Sequence, residues 1–298
     1  MCSSDLGGGG RVAVYFQDNT SFTGFVSVAG GSGYLVGGQG TIYTNDLGPF
    51  DAIDLPLRSG TILAGDFLRW SGHVAGTHVN GPIQYLWDFG NERSSLLKDP
   101  GLVGFTIPGT NLVTFDVLDT LGRHDPSPAT RLIVVVPATN PAPDLVVTNF
   151  AIPAQLAIGQ QNQITYQVAN AGDGSVAGGS WTDALYLSQK NYLDRTAQLL
   201  MATNMTGIAL VPGQHYDKVM SFNMPNVAEG VYYLILSVND NWDLLEKHRL
   251  NNEEAVLTTA LIPSLTNNMN YASAFTQNGE SQIYRIDVPE GQNLVITL

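Results

Sequence analysis

The stretch Gly230-Val-Tyr-Tyr-Leu-Ile-Leu-Ser-Val-Asn239 decides the fold class of this chain. Four apolar side chains occupy every second position in it: Tyr232, Leu234, Leu236 and Val238. A two-residue period is typical of a β-strand with one face in a hydrophobic core. A polar segment and another apolar stretch, from Ala255 to Leu261, come next. The pattern predicts two strands of a β-sandwich whose core contains the four alternating side chains.

The composition favours strands and turns over helices, because Gly, Thr, Val, Asn and Tyr are plentiful and Lys and Glu are scarce. The formal net charge is -13. Affinity for nucleic acid depends on Lys and Arg that neutralise phosphates, so an acidic chain argues against nucleic-acid binding. Cys2 is the single cysteine, which excludes an internal disulfide and a thiolate metal cage.

No apolar run approaches the roughly 20 residues that a transmembrane helix needs. The first six residues, Met1-Cys-Ser-Ser-Asp-Leu6, lack the basic and apolar regions of a signal peptide. We therefore expect the chain to begin inside a larger protein, in which case the missing signal says nothing about location.

Residues 1–50 are rich in glycine and contain short apolar stretches between small-residue turns: "GGGGRVAVYF", "FTGFVSVAGG" and "GGQGTIYT". Short strands in this arrangement predict a coil-by-coil solenoid. The stretch resembles the glycine-rich ends of parallel β-helices in large bacterial surface proteins, which implies a partial β-helix. The alternative is a loose glycine-rich linker.

Residues 57–137 contain strands at short, regular spacing, which predicts an immunoglobulin-like sandwich. We expect Trp87 in its core, Asp88 as a tether of the following turn and Gly90 at positive φ. The unit resembles a polycystic kidney disease (PKD) domain on "YLWDFGN", "VGFTIPGT" and "VTFDVLDTLGRHDPSPATRLIVVV". It departs from that family at Asn91-Glu92. It also departs at Asn111, where the usual tyrosine hydroxyl tether is missing.

Residues 143–262 follow a proline-rich joint, Asn140-Pro-Ala-Pro143, which we expect to be short and semi-rigid. They contain, in order, the segments "PDLVVT", "ITYQVANAG", "WTDALYLS", "LVPG" and the region from Gly230 to Glu253. On these segments they resemble the CARDB module, a cell-adhesion-related domain of bacteria. The resemblance implies a second complete sandwich that serves interaction and not catalysis.

Residues 264–298 resemble the opening strands of a pre-peptidase C-terminal domain, on "YRIDVPEG" and "LVITL". The pattern stops at Leu298, so we expect a truncated domain. The predicted fold class is thus all-β, with tandem immunoglobulin-like β-sandwiches flanked by a partial β-solenoid and a truncated β domain.

No catalytic constellation is visible in the sequence. The five histidines form no His-x-x-x-His pair, and no serine lies between the two glycines of a nucleophile elbow. We therefore predict that the chain is not an enzyme and has no catalytic residues.

The loop from Asp240 to Glu246, followed by Asn251-Asn252-Glu253, contains the densest set of oxygen ligands. Calcium takes about six to eight oxygens from carboxylates, amides and carbonyls. The candidate metal ligands are therefore Asp240, Asp243, Glu246 and Asn252, and calcium is the candidate cofactor. The alternative is that the two asparagines form a turn through side-chain to backbone bonds and the acids are solvated.

The predicted function is that of non-catalytic adhesion or interaction modules in a large secreted bacterial surface protein, located outside the cell or on its surface. The expected partners are proteins or carbohydrates of a cell surface or extracellular matrix, together with neighbouring domains of the parent chain. The first alternative is an accessory region of a secreted hydrolase, because pre-peptidase C-terminal domains accompany exported proteases. A polysaccharide-degrading β-helix would need acids along one solenoid face, and the available ones are too few: Asp18, Asp46, Asp51 and Asp54.

Overall fold

The computed structural model describes residues 11–16, 41–46, 50–75, 81–138, 141–266, 282–291 and 293. These residues contain twenty strands and no helix, so the predicted all-β class is confirmed. Among them, no helix is long and apolar enough to cross a membrane. The strands are β1 (Arg11–Phe16), β2 (Thr41–Asp46), β3 (Phe50–Leu55), β4 (Gly60–Leu63), β5 (Asp66–Ala75), β6 (Gln84–Gly90), β7 (Arg93–Ser95), β8 (Gly101–Phe105), β9 (Gly109–Leu118), β10 (Ala129–Val136), β11 (Leu145–Ala151), β12 (Gln155–Ala157), β13 (Gln161–Asn170), β14 (Val176–Ser188), β15 (Gln198–Leu210), β16 (His215–Asn223), β17 (Gly230–Ser237), β18 (Glu253–Leu261), β19 (Ser264–Leu265) and β20 (Arg285–Ile286).

The two terminal regions contribute one pair of strands each. Strand β1 pairs with β2 in parallel, from Arg11 opposite Thr41 to Phe16 opposite Asp46. Parallel pairing is the pairing that a β-helix uses, but the strand predicted at 22–28 lies outside the described residues, and the solenoid stays a prediction. Strand β19 pairs with β20 in parallel. The strand predicted at 294–298 also lies outside the described residues.

The strands between Phe50 and Val136 form a five-stranded sheet, in the order β4-β10-β9-β6-β7, and a three-stranded sheet, in the order β3-β5-β8. Aromatic rings fill the inner face of this first sandwich. The ring centroids of Trp87 and Phe115 lie 4.3 Å apart, and that of Trp70 lies 5.7 Å from Trp87 and 5.4 Å from Phe89. Trp87 is buried, as predicted. Gly72 leaves space for Phe115, because a Cβ there would lie 2.4 Å from that ring.

The turn after Trp87 has the predicted local geometry. Gly90 has a φ of 74°, and its N–H donates to the Asp88 Oδ1 at 2.8 Å. Asn91 and Glu92 also adopt positive φ. The Asn91 Nδ2 donates to the Asn111 Oδ1 at 2.9 Å, so an amide pair joins the two positions at which the sequence departs from the PKD pattern.

The strands from Leu145 to Leu261 form a second sandwich, with sheets in the orders β11-β13-β16 and β12-β18-β17-β14-β15. Strand β17 lies inside the larger sheet, between β14 and β18. The four alternating side chains of the sequence stretch are buried in the core, as predicted: Tyr232, Leu234, Leu236 and Val238. The alternating pattern did not predict that Ile235 and Ser237, on the other face of β17, are buried as well.

The chain divides into two compact units. The first takes in residues up to 59 together with 69–102 and 110–133, and the second takes in 60–68, 103–109 and everything from 134 onward. The predicted domain ranges of 57–137 and 143–262, and the independence of the two sandwiches, stay predictions.

Candidate functional site

The candidate loop follows Asn239, which lies two residues after the last residue of β17, Ser237. Asn239 has a φ of 50°, a left-handed conformation that asparagine tolerates better than most residues. Its side chain accepts from the Leu244 N–H at 3.0 Å and donates to the Leu244 carbonyl at 2.7 Å. These two bonds fold the loop back onto itself, so that Glu246 points inward.

Glu246 is fully buried, with an exposed fraction of 0%. Its Oε2 accepts from the Leu145 N–H at 2.8 Å, and its Oε1 accepts from the side-chain amides of Asn239 and Asn252, each at 2.6 Å. The Arg249 Nη1 lies 3.7 Å from Oε1. Burial raises the pKa of Glu246 to about 7, against the opposing effects of Arg249 and the hydrogen-bond donors. The carboxylate thereby ties the loop to the start of β11, 101 residues away along the chain.

The structure brings two of the four predicted metal ligands together, namely Glu246 and Asn252. It assigns the other two to separate contacts. Asp240 accepts from the Tyr186 hydroxyl at 3.0 Å, while the exposed Asp243 accepts from the Asn241 amide.

These residues do not fit a calcium ion as they stand. Calcium needs several oxygens aimed at one point, whereas Glu246 faces three N–H groups and Asn252 presents its NH₂ group to both Glu246 and the Val238 carbonyl. No group of three or more His, Cys, Asp or Glu side chains that could hold a metal is found in the part of the chain that the structure describes. Calcium binding at Asp240, Asp243, Glu246 and Asn252 is untested, and an ion could bind there only if Glu246 and Asn252 gave up these hydrogen bonds.

A second buried carboxylate, Asp183 on β14, was missed by the sequence analysis. Its exposed fraction is 0%. Its Oδ2 accepts from the Tyr216 hydroxyl at 2.7 Å and the Tyr166 hydroxyl at 3.0 Å. Its Oδ1 accepts from the Trp181 Nε1 at 3.0 Å and the Asn239 N–H at 3.3 Å. Burial raises the pKa of Asp183, and the four donors oppose that shift.

A signal for Asp183 was present in "WTDALYLS". Side chains two residues apart in a strand share a face, so Asp183 lies on the same face as Trp181 and Leu185. An acidic side chain that lies between two large apolar side chains on one face of a strand is expected to be buried with them. It can stay there only if hydrogen-bond donors reach it. The two hydroxyl donors come from β13 and β16, which local sequence does not identify.

Asn239 connects the two carboxylates, because its backbone N–H donates to Asp183 and its side chain donates to Glu246. The result is a continuous buried polar network from β14 to the loop before β18. Neither carboxylate is open to solvent, so neither can meet a substrate. The arrangement orders the loop and satisfies buried donors, which is a structural role.

The second sandwich also matches a known protein family. Residues 142–256 match the family model CARDB. The predicted CARDB domain is therefore confirmed at these residues. The match covers less than half of the chain, and the resemblances described for residues 1–50, 57–137 and 264–298 stay predictions. No curated protein matches the chain at a significant level.

Several solved structures are similar to parts of the chain. One is the crystal structure of a CARDB domain from Pyrococcus furiosus in complex with di-metal ions, with 20% identity, a TM-score of 0.31, and coverage of 42% of this chain and 99% of that one. Another contains fibronectin(III)-like modules of CbhA from Clostridium thermocellum, with 12% identity, a TM-score of 0.29, and coverage of 76% of this chain and 100% of that one. A third is β-glucosidase from Listeria innocua, with 11% identity, a TM-score of 0.27, and coverage of 40% of this chain and 16% of that one.

The CARDB domain also has an open groove with a volume of about 350 Å³. Its lining contains no charged side chain: Leu187, Ser188, Gln189, Thr196, Gln198, Val227, Ala228 and Tyr232. The Tyr232 hydroxyl donates to the Ala228 carbonyl at 3.0 Å. Amides and hydroxyls in an uncharged groove suit hydrogen bonding to a neutral polar ligand more than to an ion.

Proposed function

We propose that this chain is a non-catalytic part of a large secreted bacterial surface protein, and that it serves adhesion or interaction outside the cell. The observation that supports this most is the CARDB domain, an immunoglobulin-like module of a kind that is usually non-catalytic. Its partners would be proteins or carbohydrates of a cell surface or extracellular matrix.

The chemistry of the buried acids supports a binding module over an enzyme. A catalytic acid or base must reach a substrate, and a nucleophile must be activated by a base within hydrogen-bond reach. Asp183 and Glu246 are fully buried in the CARDB domain, and each is surrounded by hydrogen-bond donors of the fold. Their perturbed pKa values therefore have a structural cause.

The acidic net charge of the chain supports an extracellular interaction role and restricts the class of ligand that the chain would bind. With a net charge of -13, the surface should repel nucleic acid and other strongly acidic polymers. The uncharged groove lined by Gln189, Thr196 and Gln198 would then favour neutral glycans or protein surfaces.

The proposal is tested with the full chain immobilised on a sensor surface. Neutral polysaccharides, acidic polysaccharides and extracellular-matrix glycoproteins are passed over it at physiological salt, and the same polymers are assayed for cleavage products. We expect saturable binding to at least one neutral glycan or glycoprotein without release of products. A heat-denatured chain is the matched control. Cleavage of a bound polymer, or no binding to any of the three classes, would contradict the proposal.

A further inference from the structure

The candidate loop, residues 240–252, packs against a short segment from much earlier in the chain. This docking segment, residues 60–66, contains β4 and the turn that leads into β5. The docking segment and the loop belong to the same compact unit. The loop contributes three side chains to the contact, namely Trp242, His248 and Arg249.

Trp242 can lie against the docking segment because residue 60 is glycine. An added Cβ at Gly60 would overlap the Trp242 ring at its Cε3, Cζ3 and Cδ2 atoms. A glycine in a strand often marks the close approach of another group. Any larger residue at position 60 would therefore have to displace the ring.

Arg249 bonds to the docking segment and to the loop at the same time. Its exposed fraction is 6%, and its Cζ lies 4.7 Å from the centroid of the Trp242 ring. Its Nη2 donates to the Thr61 carbonyl and to the Leu244 carbonyl, each at 3.1 Å. A planar guanidinium is suited to this position, because it can stack on an aromatic face while its N–H groups reach several acceptors.

Charge favours the same contact. Asp66 in the docking segment is 2% exposed, and its Oδ1 lies 3.9 Å from the His248 Nδ1. Burial raises the pKa of Asp66 to about 6, and the positive charge of Arg249 is among the effects that oppose this rise. Burial lowers the pKa of Arg249, and the negative charges of Glu246 and Asp66 oppose that fall. Arg249 is thus attracted by one carboxylate in the loop and one in the docking segment.

The loop needs such support because Trp242 has an unfavourable backbone conformation. Its φ is 62°, in the left-handed region that bulky side chains rarely adopt. Residues in sparsely populated regions persist only where the surrounding structure holds them in place. The Trp242 N–H donates to the Asn239 carbonyl at 2.9 Å, and its ring lies between Gly60 and Arg249.

We propose that the docking segment holds the candidate loop in its observed conformation, and that Arg249 couples this docking to Glu246. The Arg249 Nη1 lies 3.7 Å from the Glu246 Oε1, and the Glu246 Oε2 accepts from the Leu145 N–H. Displacement of the ring at Gly60 should therefore loosen the loop as far as Leu145 on β11. The family match covers residues 142–256 and so gives the docking segment no part in the CARDB domain.

The experiment measures hydrogen exchange in the full chain with a Gly60→Leu variant. The amides of Leu145 and Leu244 report on the loop, because they donate to the side chains of Glu246 and Asn239. We expect both amides to exchange about tenfold faster in the variant than in the parent chain. If Gly60→Leu does not fold, Gly60→Ala adds only a Cβ at the same place and should change exchange in the same direction.

Two controls separate loosening of the loop from a general loss of stability. Ser59→Leu adds the same side chain at the exposed position directly before β4 and should leave both amides unchanged. The amides of β13, in the middle of the smaller sheet of the CARDB domain, should also be unchanged by Gly60→Leu. Equal acceleration at β13, or equal effects of Ser59→Leu and Gly60→Leu, overturns the proposal.

A second variant tests whether the effect passes through the tryptophan ring. Trp242→Ala removes the ring that a side chain at position 60 would overlap, so Gly60→Leu should have no further effect on exchange in that background. Trp242→Ala by itself should accelerate exchange at Leu145, because the stacking partner of Arg249 is lost. Unchanged protection of Leu145 in Trp242→Ala, or the full effect of Gly60→Leu in its presence, contradicts the coupling.

Discussion

The two sandwiches of this chain fill similar sheet architectures with different chemistry. The inner face of the first is a cluster of aromatic rings around Trp87, and the Trp87 Nε1 has no hydrogen-bond partner among the described residues. In the second, Trp181 is buried to a similar degree, but its Nε1 donates to Asp183 at 3.0 Å. The first core therefore contains a tryptophan N–H without a hydrogen-bond partner. The second core contains an ionisable side chain, Asp183, that accepts the hydrogen bond of its tryptophan.

This difference shows what a buried acid contributes to a sandwich. The fold itself requires only that the inner faces be filled with side chains of suitable volume. Asp183 accepts hydrogen bonds from β13, β16 and Asn239, and through Asn239 it connects the core to the loop that Glu246 anchors. The second sandwich therefore depends on a polar network that has no counterpart among the ring contacts of the first.

The largest expected effect is that of Asp183→Ala. The change leaves four buried donors without an acceptor, so we expect the free energy of unfolding of the second sandwich to fall by about 3 to 5 kcal/mol. Calorimetry of the full chain measures it. Asp217→Ala, at an exposed carboxylate on β16, is the control and should cost less than about 0.5 kcal/mol. Equal losses would show that the buried Asp183 contributes no more to stability than an exposed carboxylate.

Leu234→Ala tests whether the apolar layer of the second sandwich carries as much stability as its polar network. Leu234 is fully buried, and a buried leucine truncated to alanine typically costs about 2 to 5 kcal/mol. Leu257→Ala on neighbouring β18, where the side chain is 55% exposed, should cost far less. A loss below about 1 kcal/mol at Leu234 would falsify the assignment of that face to the core.

The Glu246→Gln variant tests the buried polar network of the second sandwich through the pH dependence of stability. The pKa of Glu246 is raised to about 7 by burial, so its contribution to stability is present at low pH and is lost as pH rises from about 4.5 to 7. The glutamine side chain of the variant does not titrate in this range. Relative to the variant, the wild type should lose about 3 kcal/mol across this window.

Urea unfolding of both proteins at several pH values gives this difference directly. The pKa of Asp51 in the first sandwich is also raised to about 7, which is why the wild type and variant are compared at every pH. Parallel pH profiles for the two proteins would mean that Glu246 stays ionised throughout, held in that state by its three N–H donors.

A pair of tryptophan variants isolates one hydrogen bond. Trp87→Phe and Trp181→Phe remove similar volume from buried sites, but only the second removes a donor to Asp183. We expect Trp181→Phe to cost about 1 kcal/mol more than Trp87→Phe in the free energy of unfolding. Equal costs would show that this bond contributes nothing beyond ring packing.

The smallest expected effect is that of calcium. Because Glu246 faces N–H donors, we expect the melting temperature of the full chain to be unchanged by millimolar calcium. Binding to the folded state would raise stability by roughly 2.7 kcal/mol at a hundredfold excess over Kd. If the melting temperature rises, the Asp243→Ala variant shows where the calcium ion binds. A rise that disappears in this variant assigns the ion to the loop, and a rise that persists places it elsewhere.

Local sequence was sufficient for the buried face of β17 and for the turn after Trp87. The alternation in Gly230–Asn239 identified the buried face of β17, and Asp88 and Gly90 identified the geometry of the first turn. These features depend on neighbours in the chain and on the two-residue period of a strand. Burial of Ile235 on the second face of the same strand was missed, because it depends on what covers the outside of the sheet.

The sequence by itself determined that this protein is all-β, that Tyr232, Leu234, Leu236 and Val238 face a core, and that residues 142–256 match the CARDB family. Only the tertiary structure decided which polar groups meet. It separated Asp243 from Glu246, placed Glu246 against the Leu145 N–H, and gave Asp183 its hydroxyl donors from β13 and β16. The physical reason is that a carboxylate can accept from cations, N–H groups or hydroxyls alike. The choice among them is made by the packing of strands that are far apart in the chain.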